Sequence, residues 1–149
     1  MTGALFARLD EDLALAEELL AMVPAGGDGW RPPYDGFSMG ELVAHLVESA
    51  GGILACLAKL HPELALTPLK GESLVVFSTY RQQFLRASAR VSDSDLVRVI
   101  PTYFVPAGEP FVAILLTNWK HLNHHVHQLF TYLKLLGVPV STRHLYRFR

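Results

Sequence analysis

Four of the chain's seven histidines fall inside one stretch, TNWKHLNHHVHQLFTYLKLLG at 117–137. His121 and His125 have the sharpest spacing. At i and i+4 of a helix their Cβ atoms lie about 5–6 Å apart on one face, so two imidazoles can converge on a single ion. They belong to a polar row, Asn118, His121, His125, Gln128 and Tyr132, which runs beside an apolar seam of Leu115, Leu122, Leu129 and Leu136. Polar groups this close to a core seam cost free energy unless they are paired, bound to a metal or wetted. The spacing alone suits both a core pair satisfied by backbone or water and a metal-ligating pair. His124 and His127 fall on the other side with Lys120, Thr131 and Lys134, as border or solvent histidines. Outside this stretch, His45 lies beside the seam of another helical pattern, where a histidine is unexpected unless something bonds it. A donor there raises the metal reading to a three-histidine site of His45, His121 and His125. Glu48, three residues past His45, is a candidate proton acceptor or supporting partner, and Asn118, Gln128 and Tyr132 read as lining or support of the histidines.

These residues need helices to position them. Leu5, Leu9, Leu13, Ala16, Leu20 and Val23 repeat at spacings of four and three and mark a first amphipathic helix, which Pro24, Gly26 and Gly27 should end. Ser38-Met39-Gly40-Glu41 is a capping box that opens a second helix, with a seam of Leu42, Leu46, Ser49, Ile53, Cys56 and Leu60. Gly51 and Gly52 in its middle each cost roughly 1 kcal/mol relative to alanine, so close helix approach or room for a ligand is the expected compensation. Leu74, Phe77, Tyr80, Phe84, Ala87 and Val91 mark a third helix. The long histidine helix is the fourth, with Glu109 and Pro110 suited to its first turn and Gly137 and Pro139 to its stop. The expected helices are near 3–23, 38–60, 71–91 and 110–136. Between the last two, residues 96–100 and 103–105 are expected to form a short hairpin or extended cover. The loop at 28–37, with Trp30, Pro32 and Pro33, reads as an apolar plug under a bundle. The tail at 141–149 reads equally as packed or frayed. The fold class is therefore all-α, a four-helix bundle with a minor extended segment, and bundles build sites from side chains on facing helices.

Composition sets the outer bounds. A chain of 149 residues suits one domain over 1–149 with a core that needs no disulfide staples. Hydrophobic residues reach 50% and charged residues only 18%, which leaves apolar surface for an interface and leads to the expectation of a homodimer. A formal charge of −1 with no basic stripe argues against nucleic acid as a partner. The lone Cys56 excludes an internal disulfide and fits a reducing cytoplasm. It is also a poor fourth ligand, because eleven residues of helix put it roughly 16 Å from His45 along the axis. The clearly apolar run at 111–116 is too short to cross a bilayer, and no basic leader is visible, so no membrane association is expected.

The chain resembles the DinB/YfiT-like family of small bacterial metal-binding helical bundles, over most of its length. The resemblance rests on SMGELVAHL with His45, HLNHHVHQL with His121 and His125, and the closing YLKLLGVPV. It implies an up-down-down-up bundle, often dimeric, in which these three histidines bind a divalent metal, zinc or nickel. The family often continues its histidine pair as HHRGQ. Here Val126 and His127 stand where the Arg and Gly would be, and Gln128 matches. Some relatives act with low-molecular-weight thiols, so the resemblance implies a metal-dependent enzyme, either a hydrolase or a low-molecular-weight-thiol S-transferase with a small-molecule substrate or thiol. The alternative is a metal-binding or stress-response bundle without turnover. Three histidines leave metal positions open, as in catalytic zinc sites.

Overall fold

A computed structural model describes residues 2–64 and 69–146. Its long helices are α1 (Thr2–Leu20), α2 (Met39–Leu60), α3 (Ser73–Ser88) and α5 (Phe111–Leu135). Between the last two lie a single-turn helix, α4 (Asp93–Leu96), and two short strands, β1 (Val99–Ile100) and β2 (Glu109–Pro110), paired antiparallel.

The direction of each helix follows from its contacts. Along α1 and α3, Phe6 meets Phe84 while Asp10 and Glu17 both bind Arg81, and Glu17 also receives the hydroxyl of Ser78, so the two run antiparallel. The start of α2 lies beside the end of α5, where the Tyr132 hydroxyl donates to the Phe37 carbonyl at 2.9 Å. Farther along, the Cβ position of Gly52 faces Asn118, so α2 runs against α5. The end of α1 leads through Trp30, whose ring packs 5.1 Å from that of Tyr132, so α1 and α5 point the same way. The result is up-down-down-up. Helices α2 and α3 are parallel neighbours, and part of the connection between them lies outside the described residues.

The expected seams are the core. Leu42, Leu46, Leu57, Phe77, Leu115, Leu122, Leu129 and Tyr132 are fully buried, and Leu136 packs half-buried against them. Ser38 closes the predicted capping box: its Oγ accepts from the Glu41 backbone N–H at 3.2 Å and its own N–H donates to the Glu41 carboxylate at 2.7 Å. Helix α2 is long and apolar enough, by composition alone, to cross a membrane. In this fold it packs against both α3 and α5.

The departures from expectation lie at element ends. Helix α1 stops at Leu20, with Ala21 to Val23 in looser turns, and α3 runs from Ser73 to Ser88, inside the expected 71–91. The partner of β1 is 109–110 and not 103–105, and Leu96 is helical. Glu109 and Pro110 therefore form a strand rather than a first helical turn. Pro110 is extended, with ψ at 137°, and the Phe111 N–H donates to the Arg98 carbonyl at 2.9 Å. A pairing two residues long is set by such single backbone bonds, which leave no periodic trace in the sequence. Tyr103 and Phe104 are left at the tip of the connection, 92% and 90% exposed. The tail is partly packed. Val140 and His144 are buried, and the His144 Nδ1 accepts from the Ser141 N–H at 2.9 Å, so this histidine acts as a cap. Its last residues, 147–149, lie outside those described.

Candidate metal centre

His45 from α2 and His121 and His125 from α5 converge. One ring nitrogen of each lies within 4.8 Å of those of the other two, and the Nε2 atoms of His45 and His121 are 3.1 Å apart. Two nitrogens held by one tetrahedral ion at 2.0–2.1 Å would be about 3.3–3.4 Å apart, so the cluster stands close to ligating geometry. The rings are nearly perpendicular to one another, with interplanar angles of 84°, 88° and 76° and centroids 5.1, 4.4 and 4.7 Å apart. His121 is exposed, while His45 and His125 are half-buried, so the cluster opens to solvent on the His121 side. His124 and His127 are exposed on another face, and the His127 Nδ1–H is spent on the Asn123 carbonyl at 2.8 Å.

A hydrogen-bond relay sets the tautomer of His125. The Phe37 carbonyl can only accept, so the Tyr132 hydroxyl donates to it and in turn accepts from the Gln128 amide nitrogen at 3.1 Å. That orients the Gln128 carbonyl towards the His125 Nδ1, at 3.0 Å, which must carry a proton. The nitrogen left unprotonated is Nε2. This is how proteins commonly prepare a metal-ligating histidine, by engaging its other nitrogen. On α2, the Glu48 carboxylate lies 3.5 Å from the His45 Nδ1 and favours a proton there, again leaving Nε2 free. Glu48 is largely exposed and stands on the Nδ1 side of the His45 ring.

The electrostatics favour the neutral imidazoles. Burial pushes the pKa values of both His121 and His125 below the ordinary histidine range, and the neighbouring imidazoles push them further down. Gln128 partly opposes this at His125. Neutral imidazole is the ligating form, so the residues fit a divalent metal.

Sequence reasoning missed the ring of Phe37. Its centroid lies 5.4 Å from that of His45 and 6.0 Å from that of His125, which places an apolar cover over one side of the cluster. The expected plug at 28–37 thus does two things: Trp30 and buried Pro32 pack the bundle end, and Phe37 reaches the histidines. Asn118, expected in the polar row, donates to the Ile114 carbonyl of its own helix at 2.9 Å and does not join the cluster by a hydrogen bond.

Among solved structures, a DinB-like protein of Bacillus subtilis, YjoA, superposes on this chain with a TM-score of 0.73. The chain has the DinB-like fold. The match covers 89% of this chain and 91% of the other at 19% identity, which establishes shared architecture and leaves the chemistry to be argued from the residues. No family model matches the sequence, and no curated protein matches it. The three histidines of this DinB-like bundle are donated by α2 and α5, which face each other along their lengths, so the site is built between helices and not within a loop.

Proposed function

We propose that His45, His121 and His125 hold a divalent metal ion, zinc or nickel, and that the protein is a metal-dependent enzyme acting on a small molecule, as a hydrolase or a low-molecular-weight-thiol S-transferase. The observation that carries this reading is the convergence of three imidazoles from two facing helices, one prepared by the Gln128–Tyr132–Phe37 relay, on a point open to solvent. What a divalent ion supplies at such a place is Lewis acidity, which lowers the pKa of a coordinated water or thiol.

The chain's own residues do the rest. The relay holds the His125 proton on Nδ1, and the Glu48 carboxylate 3.5 Å from the His45 Nδ1 favours a proton on that nitrogen. Phe37 excludes water from one flank, which strengthens electrostatic interactions there and directs a substrate to the His121 side. Glu48 is seen only beside the His45 Nδ1, and no other carboxylate joins the three-histidine cluster among the described residues.

The position of Glu48 is also the observation that favours the alternative, a metal-binding bundle without turnover. Elemental analysis of protein purified without a metal column tests the ion: about one zinc or nickel per chain is expected, and none in the His45→Ala/His121→Ala/His125→Ala variant. Thiol-conjugation and hydrolysis assays on the metal-replete protein then separate the two readings. Rates no higher than those of the triple variant would leave the metal-binding bundle.

A further inference from the structure

A cavity of about 480 Å³ lies between α2, α5 and the 101–108 connection, within the ordinary size range of small-molecule sites. Val105 and Ile114 give it apolar walls, and Cys56 lies on its α2 side. Asn118 lines it nearest the histidines, one helical turn or about 4.5 Å along α5 from His121. At the far end Lys59 and Glu109 offer opposite charges, which select neither an anion nor a cation.

Gly52 faces Asn118, the lining residue nearest the histidines. It lies on α2 between His45 and Cys56, and a Cβ added there would meet only Asn118 Oδ1, at an ordinary 3.7 Å. Its φ is not positive. Neither packing nor backbone conformation therefore requires a glycine, although mid-helix glycine is destabilising. Gly51 differs: its Cβ would press against the Tyr80 ring at 3.4 Å, so close packing accounts for it. Gly52 thus leaves a notch on α2 beside Asn118, which lines the cavity and lies one turn of α5 from His121. At the cavity's mouth, Tyr103 and Phe104 hold two aromatic rings almost wholly in water, an arrangement that a bound apolar group would relieve.

We infer that this cavity is the subsite for the body of the substrate: an elongated small molecule with an uncharged aromatic or branched aliphatic body, whose polar end passes the Gly52 notch to the histidines. The inference rests on the metal reading for the polar end and on the cavity alone for the body.

The test uses zinc-loaded full-length protein and two hydroxamates, which share a metal-binding head. Acetohydroxamate has no body, and 5-phenylpentanehydroxamate carries a phenyl ring on a chain. Calorimetric titration should show the phenyl compound binding at least about tenfold tighter, as burial of its apolar surface requires. That ratio should fall towards one in Gly52→Leu, which fills the notch. It should fall equally in Thr117→Trp, which fills the cavity from an exposed position on α5 and so spares the core. A ratio near one in the unmodified protein, or one retained in both variants, overturns the inference. If the protein takes up no zinc and neither hydroxamate binds, the metal reading has failed by itself. The cavity is then tested through the fluorescence of 8-anilinonaphthalene-1-sulfonate: enhancement lost in Thr117→Trp supports it, and enhancement unchanged by that substitution overturns it.

Discussion

The three histidines differ in what prepares them, and their substitutions should differ accordingly. His125→Ala removes a ligand and should abolish most metal binding, whereas His127→Ala, on a face where Nδ1 already bonds Asn123, should leave metal content nearly intact. Equal losses in the two, read by elemental analysis, would disprove the helical phase of the site. Gln128→Leu keeps the volume and removes the acceptor that holds the His125 proton on Nδ1. Metal affinity, measured by competition with a chromogenic chelator, should weaken roughly 10–100-fold. Protonation acts on the same residues. His121 and His125 have depressed pKa values in the folded chain, so below the ordinary histidine value near 6.5 the unfolded chain binds more protons than the native one. Stability of the metal-free protein is thus fully present above about pH 6.5 and is lost as pH falls towards the lowered folded values. Urea midpoints from pH 7.5 to 5 should decline, and less steeply in His121→Ala/His125→Ala.

The helices are tied to one another by polar groups that the apolar seams do not reveal. Asp12 is buried on α1, where its carboxylate accepts from the Trp119 indole N–H at 2.8 Å and the Asn123 amide at 3.1 Å, both on α5, with Arg8 at 3.5 Å. Asp12→Ala strands two donors in a half-buried interface and should cost about 1–3 kcal/mol in urea unfolding. A change below a few tenths would show that water replaces the carboxylate. Arg81 on α3 reaches Asp10 at 2.7 Å and Glu17 at 2.8 Å, bonds that hold its guanidinium firmly charged and pin α3 to α1. Helix α1 is thus fastened to both α3 and α5.

At the scale of the whole molecule, a metal at the histidines would bridge α2 and α5, the antiparallel pair that forms the site. A metal held at a hundred times its dissociation constant adds about 2.7 kcal/mol to the folded state. Chelation should therefore lower the Tm by roughly 5–10 °C for a chain of this size, and His45→Ala should remove that difference. An unchanged Tm on chelation of protein shown to contain metal would mean that the ion binds folded and unfolded chains alike. How much of this was legible in the sequence depends on the range of each interaction. Helix existence, the capping box at Ser38, the seams and the phase of His121 and His125 are set by residues within a few positions of one another, and the 3.6-residue period exposes them. The row of Gln128 and Tyr132 was legible as support for the same reason. What only the tertiary structure decided depends on residues far apart in the chain: the Phe37 carbonyl that ends the relay and the Phe37 ring that covers the cluster, the burial of Asp12, the pairing of Val99 with Pro110, and the notch at Gly52 beside Asn118. Each is a single contact between segments, without periodicity, and its partner is defined only once the helices have packed.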